Sequence, residues 1–339
     1  DLGSGTATSG SDYFAVAGDA IISVADGQNT GTITVNIIDD PTPEATETVI
    51  CQISNSSSEA ASIGTAIATA NITDDDAAPS VSISAAPVSI TESGGESTIT
   101  ATLSAVSGLD VTVNLGYTGT ATGGGVDYTA SSGTITILAG DLIGSVTITG
   151  DGDLIDEADE TVIVAITTVT NGTEDGVQEE TITITDDDAP PNVSLGESGS
   201  PIEEDGGVST ITATLDAVSG LDVTIDLAYG GTATGGGTDY TITGSQITIS
   251  AGSTTGSVDI TGVDDLLIEG EETILIDIGS VTNGTDNSTQ QTITIRDNDV
   301  PPVIVICASD KTLNVDASCE ATIPDLTGEV DATDDGSIV

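Results

Sequence analysis

The stretch STITATLSAVSGLDVTV, residues 97–113, returns as STITATLDAVSGLDVTI, residues 209–225, a step of 112 from position 97 to position 209. Within it, Ile99, Ala101 and Leu103 fall on one side of an extended chain. Val111, Val113, Leu115 and Tyr117 do the same in the run that follows. Side chains alternate faces along a strand, so a period-2 run of Val, Ile and Thr reads as a half-buried antiparallel strand. No convincing run at the helical period accompanies these strands. The expected fold class is all-β, with antiparallel sandwiches repeated in tandem.

The repeat extends outward from this pair. GTATSGSDY (5–13) returns as GTATGGGVDY (119–128) and GTATGGGTDY (231–240). ITDDD (72–76) returns at 184–188 and, altered, as IRDND (295–299). TGDGDLIDEADET (149–161) aligns with TGVDDLLIEGEET (261–273) and more loosely with IIDDPTPEATET (37–48). These matches divide the chain at 1–76, 77–188, 189–299 and 300–339. The first unit lacks its opening strands, and the last stretch is too short for a sandwich. Each complete unit holds about seven strands. The joints DDDAAPSV, DDDAPPNV and DNDVPPVI carry prolines, which stiffen a connection and oppose continuous strand pairing. The expected shape is a rod of beads.

Composition excludes several functions. Formal charge is −54 over 339 residues, and Arg296 and Lys311 are the whole complement of cations. Such a chain repels nucleic-acid phosphate and anionic lipid. Histidine is absent, which removes the commonest general base and transition-metal ligand. There is no Ser-His-Asp or Cys-His constellation and no GxxxxGK[ST] loop. The acids have no aromatic sugar platform beside them, so a glycosidase reading has little support. The chain is expected not to be an enzyme. No apolar run approaches the roughly 20 residues of a membrane-spanning helix, and no signal peptide is visible. Cys51 reads as a small core residue. Cys307 and Cys319, twelve positions apart, can pair.

The acids pose the central question. Residues 151–160, DGDLIDEADE, hold six carboxylates without a nearby cation. Two carboxylates about 4 Å apart repel by roughly 4 kcal/mol at an effective dielectric of 20. If the strand near 178–185 runs antiparallel to that near 161–169, Asp186, Asp187 and Asp188 come beside Glu157 and Glu160. Asp153 shares that loop. A strand at 111–117 on the other side brings Asp127 to the same pole, and Glu92 in TESGG is a further contributor. A solvated acidic face is the ordinary explanation of one such run. Here the acids recur at matched spacing, Asp153, Glu157 and Glu160 against Asp265, Glu269 and Glu272. Shared cations are therefore required, and with no His the hard, flexible choice is Ca²⁺, several ions per complete domain. No EF-hand pattern is present, since position 6 from Asp151 is Asp156 and position 12 is Val162. The glycines of TGGGVDY do not iterate every nine residues, and they suit a turn with positive φ.

GTATGGGVDY, the D-x-x-x-E-x-x-E stretch and the terminal DDD together resemble the Calx-beta domain over residues 1–299. Calx-beta is the module of sodium–calcium exchanger loops, the integrin β4 tail and large bacterial surface proteins. The resemblance implies an immunoglobulin-like sandwich with Ca²⁺ clustered at one pole. In the second unit it implies ligand roles for Glu92, Asp127, Asp153, Glu157, Glu160, Asp186, Asp187 and Asp188. In the third these fall on Glu204, Asp239, Asp264, Asp265, Glu269, Glu272, Asp297 and Asp299. In the first they fall on Asp12, Asp39, Asp40, Glu44, Glu47, Asp74, Asp75 and Asp76. Gly152 stands where the third unit has Asp264, Asn298 replaces the middle aspartate, and the first unit lacks the segment for an early glutamate. The tail from Pro301 resembles the start of a hyalin repeat (HYR) module, which favours a Cys307–Cys319 disulfide and an oxidising compartment.

The leading functional expectation is a structural segment of a large secreted or cell-surface adhesin, bacterial in style. Its partners would be Ca²⁺, neighbouring domains and further copies in a filament. A Ca²⁺-sensing module and a fibre subunit assembling by strand addition are the alternatives.

Overall fold

The computed structural model describes every residue from 67 to 301. Outside that span it describes all but residues 1, 4, 17–19, 54–55, 57–61, 65–66, 302, 307–308, 315–316, 319–324, 326–330 and 334–339. The described elements are strands, with no helix among them. The first domain holds β1 (Leu2–Gly3), β2 (Glu47–Gln52) and β3 (Ile67–Ile72), in one antiparallel sheet.

The second domain is built from β4 (Ser80–Ala86), β5 (Ser89–Thr91), β6 (Glu96–Leu103), β7 (Val111–Gly119) and β8 (Tyr128–Ala130). It continues through β9 (Thr134–Ile137), β10 (Ile143–Gly150), β11 (Glu160–Thr170), β12 (Thr173–Glu174) and β13 (Glu179–Thr185). These form two five-stranded sheets, β12-β4-β6-β10-β8 and β5-β13-β11-β7-β9. The expected seven strands are thus ten segments. The surplus comes from two-, three- and four-residue pieces that periodicity cannot register.

The third domain repeats the plan with β14 (Asn192–Ser198), β15 (Ile202–Glu203), β16 (Val208–Leu215), β17 (Val223–Gly231) and β18 (Tyr240–Ile242). Then follow β19 (Gln246–Ile249), β20 (Thr255–Gly262), β21 (Glu272–Thr282), β22 (Thr285–Asp286) and β23 (Gln291–Arg296). Its sheets are β18-β20-β16-β14-β22 and β15-β23-β21-β17-β19. In the tail, β24 (Val303–Ile306) pairs with β25 (Asp331–Thr333).

Alternation produces the cores. In β6, Ile99 and Ala101 are fully buried while the threonines between them are not. Ile99, Val111, Val113, Ile137, Ile148, Val162 and Ile182 fill the space between the two sheets of the second domain. Ile211, Ile225, Ile260, Ile274 and Ile293 do so in the third. Tyr117, expected on the buried face, is only partly buried and donates its hydroxyl to Ser132 O at 2.6 Å.

Two features of the chain path place acids at the pole. First, the opening strand changes sheets. β4 pairs with β6 in one sheet, and three residues later β5 lies parallel to β13 in the other. Thr91 stands opposite Thr185, and Glu92 N–H bonds Thr185 O at 3.1 Å. Glu92 therefore meets the aspartates that follow β13. In the third domain Glu203 opposes Arg296 and Glu204 N–H bonds Arg296 O, with the same result.

Second, the GTAT turn presses on the start of β11. Gly119 has φ +121°, and a Cβ there would stand 2.1 Å from Thr161 O. Gly231 faces Thr273 O at the same distance. Beyond it the chain curls through glycines 124 and 125, both at positive φ, as the sequence requires of them. The curl seats buried Tyr128 and returns Asp127, which accepts Thr122 N–H at 2.5 Å.

Residue contacts group the chain into two compact units, Asp1–Asp153 with Asp159–Asp187, and Leu154–Ala158 with Asp188–Val339. Cys51 is a free thiol. It is half-buried beside Ile33, Ile53 and Ile67 in an apolar cleft, not sealed in a core as expected. Cys307 and Cys319 lie outside the described residues.

Candidate metal centres

Among the described residues, four carboxylate triads form at the domain poles. They are Asp12–Glu44–Glu47, Glu92–Asp186–Asp188, Glu204–Asp297–Asp299 and Asp239–Glu269–Glu272. In each, one oxygen per residue lies within 4.8 Å of the others. Two oxygens sharing one Ca²⁺ at about 2.4 Å can stand up to about 4.8 Å apart, so the spacing fits a common ion.

The third domain carries two of these triads side by side. Glu204, Asp297 and Asp299 come from β15's end and the segment after β23. Asp239, Glu269 and Glu272 come from the GTAT turn and the approach to β21. Asp297 joins them, because its Oδ2 accepts Glu269 N–H at 2.6 Å. Glu204 is only 5% exposed, and its Oε1 is buried without a hydrogen-bond donor. Burial pushes its carboxyl up to about 7. Asp297 adds to the push, the Asn298 backbone N–H opposes it, and Asp299 and Asp265 add further. Glu269 is raised by desolvation, then by Asp239, Asp265 and Asp297. Glu272 is raised by desolvation, then by its hydrogen bond with Asp239 and by the charges of Asp239 and Glu269. Asp264 Oδ1 accepts the Asn298 side-chain amide at 3.2 Å, and Asp265 Oδ1 caps Leu267 N–H at 2.6 Å.

In the first domain all eight expected residues, Asp12, Asp39, Asp40, Glu44, Glu47, Asp74, Asp75 and Asp76, line one cleft. Asp12 accepts the Thr8 N–H, repeating the turn of the later domains. Desolvation, the hydrogen bond with Asp12 and the charges of Asp12 and Glu44 push Glu47 up to about 7. Glu44 is raised by desolvation, then by Asp40, Asp12, Asp74 and Asp76. Asp76 is raised by desolvation, then by Asp74, Asp39, Asp75 and Asp40.

The second domain gathers Glu92, Asp186 and Asp188, and Asp188 Oδ2 is buried without a donor. Asp187 turns away and takes the Ser93 hydroxyl at 2.5 Å. Among the described residues, no triad unites Asp127, Glu157 and Glu160 as Asp239, Glu269 and Glu272 are united. Asp153 belongs to none of the triads either.

Sequence reasoning passed over Asp159 and Asp151. Asp159 Oδ1 accepts Asp186 N–H at 3.2 Å and so fixes the terminal aspartates. Asp151 takes the Thr129 hydroxyl at 2.6 Å, and its N–H bonds Asp127 O at 3.0 Å. Both lie in the acidic stretch but off the D-x-x-x-E-x-x-E spacing, which hides them.

These centres offer hard oxygens only, at least one of them buried and unsatisfied, with no nitrogen or sulfur ligand. Uncompensated buried carboxylate oxygen is costly, and a cation is the natural counterpart. Residues 3–76, 74–188 and 186–299 each match the family model of the Calx-beta domain. The chain belongs to the Calx-beta family. Its architecture is accordingly a tandem of immunoglobulin-like sandwiches. Calx-beta domains are calcium-binding domains. Among solved structures, the calcium-binding domain CBD12 of CALX1.1 is 15% identical, covering 64% of this chain and 99% of that one with a TM-score of 0.30. CBD12 of CALX1.2 is 16% identical, covering 57% and 77%, with a TM-score of 0.28.

Proposed function

We propose that this chain is a calcium-binding structural segment, a stalk or filament, of a large secreted or cell-surface adhesin. The observation that carries the calcium reading is Glu204. Its Oε1 is buried with no donor, at the meeting point of two further carboxylates. Ca²⁺ supplies what that oxygen lacks, and the all-oxygen donor set suits it better than zinc or copper. The structural role rests on tandem Calx-beta domains with short proline-bearing joints next to the terminal aspartates. Five tyrosines and Phe14 are the whole aromatic content, which suits spacers better than a ligand-gripping tip. Near-millimolar extracellular calcium fills even weak sites. The tail is read as the start of a hyalin-repeat-like module, with Cys307 paired to Cys319.

A thermal melt of the chain tests the reading, in about 2 mM Ca²⁺, in the same Mg²⁺ and in excess chelator. A ligand at 100 times its Kd adds about 2.7 kcal/mol per site, so a Ca²⁺-specific rise of at least about 10 °C is expected. Identical melts in all three would overturn it. A submicromolar affinity would shift the role from stalk to sensor.

A further inference from the structure

Two turns in this chain share a construction that cation binding does not require. Residues Val106–Asp110, between β6 and β7, read VSGLD, and residues Val218–Asp222, between β16 and β17, read the same. Each turn is braced within itself and against the connection that follows β9 or β19. Ser107 Oγ accepts Leu109 N–H at 3.0 Å, and Asp110 Oδ1 accepts Ala139 N–H at 2.8 Å. The counterparts are Ser219 to Leu221 at 3.0 Å and Asp222 to Ala251 at 2.8 Å. The glycine N–H is left pointing out of the turn.

That N–H is taken by an acidic loop. Gly108 N–H bonds Pro43 O at 2.9 Å within the first compact unit. Gly220 N–H bonds Asp156 O at 3.0 Å within the second unit, to which residues 154–158 belong. Pro43 and Asp156 occupy the same place in their repeats, one residue before Glu44 and Glu157. Ser219 Oγ reaches Asp156 Oδ2 at 3.3 Å as well.

The glycines are demanded by this neighbour and not by the backbone. Neither Gly108 nor Gly220 is among the residues at positive φ. A Cβ on Gly108 would stand 2.9 Å from Glu44 Cγ, and one on Gly220 would stand 2.7 Å from Glu157 Cγ. The third domain supplies the contrast. Its equivalent residue, Ile268, has no such turn against it among the described residues and is 54% exposed, whereas Asp156 is 7% exposed and Pro43 is buried.

We infer that the Val-Ser-Gly-Leu-Asp turn is a docking seat for the acidic loop of the preceding repeat. The seat is an amide donor and a gap the size of a missing side chain. It sets which domain can follow which, because only a turn without a Cβ admits the loop. It also ties the joint to the loop that carries Glu44, a member of the first triad. The contact itself is protein to protein and stands independently of the calcium reading.

The test uses the full chain carrying Gly108→Val, with spin labels on exposed strand positions of the first and second domains. Amide exchange is followed at Gly108 in the unsubstituted chain, and bound calcium is counted in both proteins. The expected result is an unsubstituted Gly108 amide at least about tenfold protected. In the variant the interdomain distance distribution should broaden, with each domain's own melt retained. An unprotected Gly108 amide, or identical distributions in the two proteins, overturns the seat. A broadened variant joint alongside zero bound calcium keeps the seat and sinks the calcium reading. Gly108→Ala, a smaller intrusion, should broaden the distribution less than Gly108→Val, and the reverse order counts against the seat.

Discussion

The second and third domains share strand order and register, yet their poles differ. In both, the opening strand switches sheets to bring one glutamate beside the terminal aspartates. The third domain then adds a second triad, whereas among the described residues the second domain does not. In the third, the loop's Glu269 N–H bonds back to Asp297, drawing loop and terminal segment together. In the second, Asp186 N–H bonds Asp159, and Glu157 lies against Gly220. Gly152 also replaces Asp264, and a Cβ there would meet Ser93 Cα at 3.1 Å. The lesson is that apolar alternation dictates the sandwich, while the placement of the acidic loop decides how many carboxylates converge.

The largest effect should come from the shared part of that comparison. Ile99→Ala and Ile211→Ala remove equivalent, fully buried side chains. Each should cost about 2–5 kcal/mol, and the two should agree closely because the packing around them is the same. Chemical denaturation of each variant checks this. A difference of several kcal/mol would show that the two cores are not equivalent after all.

The next effect separates the poles. Asp297→Asn should disturb both triads of the third domain, since Asp297 belongs to one and holds Glu269 of the other. Asp186→Asn should disturb only one in the second. Calcium titration is expected to lose more sites from Asp297→Asn than from Asp186→Asn. Equal losses would break the contrast.

How far these features can be read from the chain follows the same division. Ile99, Ala101 and Leu103 announce a buried face, and they are buried. The turn glycines at 124 and 125 announce positive φ, and they have it. The sheet switch near residue 87 leaves no periodic trace, because β5 and β15 span three and two residues. Matched spacing brings acids to a pole but cannot say which carboxylates meet. Asp187 turns to Ser93 and Asp151 to Thr129, choices made by single hydroxyls. The repeated VSGLD is visible as a match, yet its glycine acquires meaning only when Glu44 is seen against it.

A smaller effect concerns pH in chelator. Glu204 is held near 7 in the folded third domain, above the ordinary value of 4.5. A raised carboxyl binds its proton more tightly when folded. Its stabilising contribution is therefore complete below about pH 4.5 and is lost as pH climbs through 7. Chelated protein should thus melt at a lower temperature at pH 7.5 than at pH 5 in this domain, and Glu204→Gln should flatten the slope. Added calcium should oppose the loss, because it binds the ionised form. Glu47, also near 7, predicts the same slope in the first domain.

The smallest effect returns to the contrast between the poles. Arg296 Nε meets Glu271 Oε1 at 3.2 Å, but the side chains are 50% and 65% exposed. Such a pair contributes less than about 1 kcal/mol. Its counterpart in the second domain is Thr185 with Asp159, where the carboxylate instead serves Asp186 N–H. Arg296→Thr should therefore lower the chelated melt only slightly. Removing one positive charge beside Asp297 should raise calcium affinity there by less than about threefold, an effect that fades as added salt screens it. Thr185→Arg tests the converse, because a guanidinium competing for Asp159 should loosen Asp186 and weaken calcium binding at Glu92. Should Thr185→Arg leave that affinity unchanged, Asp159 does not organise the terminal aspartates, and the cause of the single triad must lie in Glu157 and its place against Gly220.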